Sequence, residues 1–468
     1  MTRATWIVAG ATTLFHLATA NIYGYHRDEF YYLASGRRLA WSYVDHPPLT
    51  PLLYRIGSRL FGTSPFGLRV VPAVLHGLLV VLVVLLAREL GGDARAQLLA
   101  ALGTAVAPMF LTTGHFLGTV TVELSAWTLV VLLVVKLLNG ADQRLWLVVG
   151  VAVGVALLDK STTVFLVAGL VVGLLAVSER SILFSWWVPV GAAVTAVMVT
   201  PTVLWQARRG WPQLDFASTL RSYGDSVLTV PLQFVLLGAV SVLVVLPGIL
   251  WLFRDPGADR YRALGIAFVV VVVLVMATGG KPYYAAAFAP VLIAAGGVAL
   301  ADRTGWVLPV LIVGLGVLFA PFSLPLLPLR AAEATRRLNP ELGEMVGWPH
   351  LVDVVADVYA EHPGATILTA NYSEAGSIEL IGADRGLPQP ISGHNTYWYW
   401  GHPEGRSDTT IVVGYSREFL EARFGRVERA ATFRAPFGVH NLEDGTAIWV
   451  CHDQRSDWAA LWPGLRRI

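Results

Sequence analysis

Charge is what this chain has least of. Only 14% of its 468 residues are Asp, Glu, Lys or Arg, against about a quarter in an ordinary soluble domain. That scarcity excludes a conventional soluble globule for most of the length. Cysteine is almost missing as well. The single Cys451 excludes an intrachain disulfide and any multi-cysteine metal cluster. No glycine-rich phosphate loop of the Gly-x-x-x-x-Gly-Lys-Ser/Thr type occurs, so the usual cradle for a nucleotide phosphate is absent. A formal net charge of +2 is too small to argue for nucleic acid as a partner.

Apolar residues fill the space, 55% of the chain, with a mean hydropathy of +0.59. Runs close to the roughly 20 residues that cross a bilayer recur through the first two-thirds. Candidate helices lie near 4–22, 66–87, 96–113, 119–138, 144–158, 162–178, 183–203, 230–253, 263–278, 283–300 and 305–325. The expected fold class is a polytopic α-helical membrane protein of about eleven spans. Ala18-Thr19-Ala20 resembles a signal cleavage site, but the run before it is longer than a signal core. Cleavage would also strand the polar residues that follow, so an uncleaved first helix is expected. The segments 144–158 and 162–178, split by Asp159-Lys160-Ser161, read as a short helical hairpin.

Basic residues in short loops orient the chain. With the N-terminus cytoplasmic, Arg88, Arg95, Lys136, Arg144, Arg180, Arg254, Arg260, Arg262 and Arg303 all fall inside. An odd number of spans then puts the C-terminal part outside the cell membrane. Two long loops share that outer side, 23–65 and 204–229, the second carrying Arg208, Arg209 and Arg221. In the first loop, Glu29–Trp41 and Pro51–Phe61 mix arginines with Leu and aromatics. Both read as amphipathic helices in the membrane interface, arginines at the headgroups.

From about Leu329 the composition turns soluble. The expected division is 1–327, a transmembrane module, and 328–468, an extracytoplasmic α/β domain. Its reading is a helix at 351–361, a strand at 366–369 and a helix opened by Asn371-Tyr-Ser-Glu with Ser373 as cap. Strands at 410–413, 430–433 and 447–451 and a helix at 416–424 complete it.

Chemistry concentrates in a polar island, Tyr25-His-Arg-Asp-Glu-Phe-Tyr-Tyr32, at the expected membrane edge, where ionisable groups are costly. Asp28 and Glu29 suit a helix N-terminus as caps, or a cavity as acids. Adjacent helical residues point about 100° apart, so one acid at most aims at a substrate, and Asp28 is the choice. Asp45-His46-Pro47-Pro48 is a stiff corner, where an Asp and a His serve a site or are solvated loop residues. His115 and Glu123 flank the outer end of the fourth helix and either face a cavity or pack with hydrogen bonds. Asp28, Glu29, His46, His115 and Glu123 have the types for a divalent-metal site, a possible cofactor, though no fixed spacing supports one.

Lys160 and Lys281, the latter in Thr-Gly-Gly-Lys-Pro-Tyr-Tyr284, fall on the same side as the island. Such ammonium groups bind phosphate or snorkel to headgroups. Arg27 and Tyr283 are neighbouring candidates for the same phosphate. His394, Asn395 and Trp398, within Ser392-Gly-His-Asn-Thr-Tyr-Trp-Tyr-Trp-Gly401, suit either sugar stacking or docking of the soluble domain. Acids opposed by cations beside interfacial helices fit a lipid that carries a phosphate. A carboxylate then deprotonates an attacking hydroxyl while cations stabilise the leaving phosphate. A lipid-phosphate transporter or flippase would also want a cationic cavity, but the halves show no inverted repeat.

In order along the chain stand Asp28-Glu29, the Ser42-Tyr-Val-Asp-His-Pro-Pro-Leu49 corner, Glu123, Lys160 and Lys281-Pro-Tyr-Tyr284. That combination, over roughly 5–325, resembles the GT-C glycosyltransferases. More narrowly it is similar to the dolichyl-phosphate-mannose–protein mannosyltransferase and aminoarabinose–lipid A transferase group, in its actinobacterial form. The resemblance implies inverting transfer of a sugar from a polyprenyl-phosphate donor to a lipid, glycan or protein acceptor on the outer face. It maps the family's catalytic Asp to Asp28 and a donor-phosphate ligand to Lys281. Pro282 and Glu123 depart from the group's pattern.

Overall fold

The computed structural model describes residues 1–223 and 228–468, with backbone only at 221–223. Arg221 therefore lies outside the described side chains. The membrane part runs α1 (Arg3–Thr19), α2 (Arg27–Arg37), α3 (Leu49–Phe61), α4 (Pro65–Glu89), α5 (Ala94–Val106) and α6 (Pro108–His115). It continues through α7 (Thr119–Leu138), α8 (Leu145–Leu157), α9 (Thr163–Leu175), α10 (Trp187–Arg208) and α11 (Pro212–Tyr223). Then follow α12 (Thr229–Leu237), α13 (Leu246–Arg254), α14 (Arg262–Thr278), α15 (Ala289–Leu300) and α16 (Val307–Phe319). The short α17 (Ala332–Arg336) leads out of the bundle.

Among the described residues, five helices are long and apolar enough to cross a membrane by themselves. Two bent pairs raise the number to as many as seven, and three shorter apolar helices lie beside them. Several of the apolar runs counted among about eleven spans thus fold as broken or short helices. Pro108 has no N–H to donate, and the chain turns by 61° between α5 and α6 there. The second pair, bent by 108°, breaks after α12 at Gly238, whose φ of 55° suits a residue without Cβ. Irregular backbone at membrane depth is tolerated where it lines a cavity, and both breaks border the same one.

The α8–α9 hairpin forms as expected, turning at Asp159-Lys160. α3 leaves Leu52, Ile56 and Leu60 exposed in one stripe at i, i+4, i+8, as an amphipathic helix would. α2 does not. Glu29, Phe30, Tyr31, Leu33, Ala34, Ser35 and Gly36 are all buried. Arg37 and Arg38 reach Glu379 of the C-terminal part, at 3.3 and 3.0 Å, instead of lipid headgroups. The helix is a wedge. Leu33 packs with Tyr54, Leu68 and Leu117 on one side, and Phe30 packs with Trp348 and Ile378 on the other.

The C-terminal part holds α18 (Trp348–Glu361), β1 (Thr366–Thr369), α19 (Tyr372–Ile381), β2 (Ile391–Ser392), α20 (Tyr397–Trp400) and β3 (Thr409–Val413). After these come α21 (Arg417–Glu421), β4 (Phe424–Thr432), β5 (Ala447–Gln454) and α22 (Trp458–Leu461). The five strands lie in the order β2-β1-β3-β5-β4. β1 is parallel to β2 and β3, whereas β5 is antiparallel to β3 and β4. It is the expected small α/β sheet domain, with one strand, β2, too short to be seen in the sequence. Asn371, not Ser373, caps α19: its Oδ1 accepts from the amides of Ser373 and Glu374, and Glu374 closes the capping box.

Candidate active site

A cavity of about 750 Å³ opens at the end of the bundle that faces the sheet domain. Asp28, Lys281 and Glu341 supply its charged groups, and Tyr32, Tyr283, Ser323, Asn339 and several threonines its neutral polar ones. Pro108, Met109, Phe234, Val235, Leu236, Phe319 and Phe322 make much of the wall apolar. The two breaks described above lie here, so both bent pairs turn their irregular backbone to this space. α7 also begins at the cavity: Gly118 offers no side-chain cap, and residues 118–121 line the wall.

The helix that carries Asp28 starts because His26 caps it. His26 Nδ1 accepts from the Asp28 amide at 3.2 Å, which leaves Nε2 to donate to Glu341 at 2.9 Å. Phe116 stacks on the His26 ring with centroids 4.0 Å apart. Glu341 is 51% exposed although deep in the protein, because it opens onto the cavity. Burial pushes its carboxyl up, but His26, Arg27 and Lys281 outweigh that and hold it below the usual range. Asp28 takes one further bond, from the Tyr372 hydroxyl to its Oδ1 at 2.9 Å.

Glu29 turns the other way. Its carboxylate accepts two bonds from Arg69, Nε to Oε1 at 3.1 Å and Nη2 to Oε2 at 2.9 Å, and a third from the His26 amide at 2.7 Å. With 0% exposure it is a cap and a buried ion pair, and it does not line the cavity. Of the two roles open to Glu29, cap or cavity acid, it takes the cap, which corrects its place among the catalytic candidates. His115 lies against the same guanidinium, its Nε2 3.1 Å from Arg69 Nη1. Arginine can only donate, so His115 is a packing partner of Arg69 and not a cavity group.

The expected cations separate. Lys281 lines the cavity with its ammonium 6.0 Å from the Tyr283 ring centroid. Lys160 is held by Glu123 at 2.8 Å and lies 4.3 Å from the centre of the Tyr284 ring. Thr162 bonds the other oxygen of Glu123. Lys160 and Glu123 thus satisfy each other behind the cavity wall, where an unpaired charge would be costly. Arg27 points away from Lys281, toward Ser373 at 3.2 Å and Glu344 at 3.6 Å. Its place is at the seam with the sheet domain, not at a donor phosphate.

The Asp45-His46 corner and the aromatic motif meet at that seam too. Tyr31 donates to Asp45 Oδ1 at 2.7 Å, and Asn395 Nδ2 reaches Asp45 Oδ2 at 3.2 Å. Burial raises the Asp45 carboxyl, with His46 and the Tyr31 bond opposing it. His46 is enclosed by Tyr31, Tyr32 and Tyr43. Trp398 bonds the Trp462 carbonyl at 3.0 Å, and His394 stacks on Tyr372. Burial, with Arg467 and Arg27 nearby, pushes His394 down to about 3, so it is neutral. Asn395 thus meets the membrane part through Asp45, whereas Trp398 stays within the sheet domain against Trp462. Among the described residues, no group of three or more His, Cys, Asp or Glu side chains is arranged to hold a metal. The acids and histidines proposed for one are each engaged separately.

The sequence matches the family model described as dolichyl-phosphate-mannose-protein mannosyltransferase over residues 45–205. That stretch includes Asp45, His46, His115, Glu123 and Lys160 but neither Asp28 nor Lys281. Comparison with curated protein sequences gives no match. ArnT from Cupriavidus metallidurans in the apo state has a TM-score of 0.62 at 17% identity, covering 95% of this chain and 97% of that one. ArnT bound to undecaprenyl phosphate gives 0.62 at 16% identity with the same coverage. The chain has the GT-C fold. Arabinofuranosyltransferase AftD from Mycobacteria shares it at a TM-score of 0.53 and 15% identity, over 97% of this chain and 42% of that one.

Three residues of this GT-C chain at or beside the site escape a sequence reading. Arg69 carried a signal, a charge near the start of an apolar helix, of the same kind that drew attention to Glu123. Tyr372 sits inside the Asn371-Tyr-Ser-Glu motif with nothing to separate it from a surface tyrosine. Glu341 lies in the connector after the bundle and has no local pattern at all.

Proposed function

We propose that this chain is a membrane glycosyltransferase that uses a polyprenyl-phosphate-linked sugar donor, with Asp28 as general base. The observation that carries the reading is one cavity lined by both the Asp28 carboxylate and the Lys281 ammonium, with apolar walls beyond. A lipid-phosphate donor needs all three. The walls suit the polyprenyl chain, and Lys281 suits the phosphate as a compact charge. The N-terminal turn of α7 adds the positive end of a helix dipole at the same wall.

In the reaction, the acceptor hydroxyl attacks the anomeric carbon as its proton passes to Asp28. The bond from that carbon to the phosphate oxygen breaks, and the polyprenyl phosphate leaves with the charge that Lys281 stabilises. Attack opposite the leaving group inverts the anomeric centre. Basic loops favour an orientation with the N-terminus in the cytoplasm and the sheet domain outside, so transfer takes place on the outer face of the cell membrane. The bound undecaprenyl phosphate of the ArnT structure supports a donor of this class.

The test is a panel of polyprenyl-phosphate pentoses and hexoses, with sugar release or transfer as the readout. Wild type turns over at least one donor. Asp28→Asn loses roughly a hundredfold or more in rate while still binding that donor and melting at the wild-type temperature. Full activity in Asp28→Asn rejects the base. Inert donors together with lipid movement between leaflets would make the chain a transporter instead.

A further inference from the structure

The carboxylate proposed as base is held from the sheet domain. Tyr372, the first residue of α19, donates its hydroxyl to Asp28 Oδ1 at 2.9 Å. Oδ2 has no hydrogen-bond partner among the described residues, and Asp28 lines the cavity. The Tyr372 ring cannot easily swing. It stacks on Tyr31 at 4.6 Å and on His394 at 5.0 Å, and the Arg27 guanidinium lies 5.3 Å from its centroid. Its own amide donates to His394 Nδ1 at 3.2 Å. Asn371 caps the turn it stands on and also bonds Glu443 at 3.1 Å, tying that turn to the loop before β5.

The hydroxyl acts only as a donor. Burial, and then the Asp28 charge, push its pKa well above the ordinary tyrosine value. A carboxylate on the first turn of a helix is otherwise free to rotate about its side-chain bonds. Tying one oxygen fixes the direction of the other, and a base acts only within hydrogen-bond reach of the proton it takes.

We propose that Tyr372 is a positioning residue of the transfer, holding Asp28 so that Oδ2 meets the acceptor hydroxyl, and that the sheet domain is through it a working part of the active site. The proposal rests on Asp28 being the base.

The experiment uses the full chain and whichever polyprenyl-phosphate sugar the wild type turns over. Tyr372→Phe keeps the ring stacking and loses only the bond. It lowers kcat roughly ten- to a hundredfold, leaves the donor KM within about threefold and does not move the melting temperature. Tyr31→Phe is the control for the seam, since the Tyr31 hydroxyl bonds Asp45 and Thr396 but not Asp28. That variant keeps kcat within about threefold. Wild-type kcat in Tyr372→Phe, or an equal kcat loss in both variants, overturns the positioning role. Activity retained in Asp28→Asn marks a different failure, that of the base itself, as does a wild type inert on every donor; either takes this proposal with it.

Discussion

Asp28 and Glu29 are neighbours in sequence with opposite fates, and helix geometry decides which is which. About 100° separates successive side chains. His26 fixes where the helix begins, which sends the third helical residue, Glu29, back to the cap and to Arg69. Asp28 is then left facing the cavity. The two acids should answer substitution differently. Glu29→Gln leaves Arg69, 1% exposed, as an uncompensated buried charge, and breaking such a pair costs about 3–5 kcal/mol. Its melting temperature in detergent is expected to fall sharply, and Glu29→Gln with Arg69→Met recovers part of the loss. Asp28→Asn shows no such fall. A Glu29→Gln protein as stable as wild type would remove the structural role given to the pair. Sequence reasoning allowed only one of the two acids to face a substrate and settled on Asp28, but it could not name Arg69 as the partner of Glu29, because the two stand 40 positions apart in the chain.

At the scale of elements, α2 is wedged between bundle and domain, and α19 crosses it at close range. Gly376 makes that approach possible: a Cβ there would lie 2.6 Å from Phe30 Cβ and 3.0 Å from the Phe30 carbonyl carbon. Backbone cannot yield as a flexible side chain can. Gly376→Ala is therefore expected to cost about 1–3 kcal/mol by overpacking and to push Tyr372 away from Asp28. Transfer activity and melting temperature should drop together, whereas Gly305→Ala, where the added carbon meets open space, changes neither. An unaffected Gly376→Ala enzyme would show that α2 and α19 have room to part. The amphipathic pattern of α2 was legible, but its burial was not. A helix with arginines on one side and aromatics on the other looks the same whether lipid or a protein domain covers it. In α3, by contrast, the stripe of Leu52, Ile56 and Leu60 is exposed.

Across the whole molecule, the sheet domain that supplies Tyr372 keeps a pair of acids buried within its own fold. Glu374 accepts from the amides of Ala370 and Asn371 at 2.9 and 3.1 Å and faces Glu443. Burial first, and then the Glu443 charge, raise its carboxyl well above the ordinary range. The folded chain therefore keeps this proton at pH values where the unfolded chain has released it. Stability from the group is complete below the ordinary Glu value near 4.3 and falls as pH rises from there through the raised value, by at most about 1.4 kcal/mol per pH unit. Glu374→Gln mimics the protonated acid, its oxygen accepting from the same amides and its NH2 group facing Glu443. Melting curves taken from about pH 5 to 8 should show a shallower decline for the variant than for wild type. Parallel declines would mean that the proton is not held at Glu374.

Hydrophobicity, a local property of composition, determined by itself that the chain is a multi-span helical membrane protein followed by a small α/β domain. Loop charge and the order of short motifs added the GT-C resemblance and the choice of Asp28 and Lys281. What the tertiary structure alone decided is which charges neutralise each other. Glu123 takes Lys160, Arg69 takes Glu29, Glu344 draws Arg27 aside, and Asp28 and Lys281 are left at one cavity with Tyr372 reaching in from the sheet domain. Pairing of buried charges acts over a few ångströms between segments up to hundreds of residues apart, and no local pattern in a sequence encodes that distance.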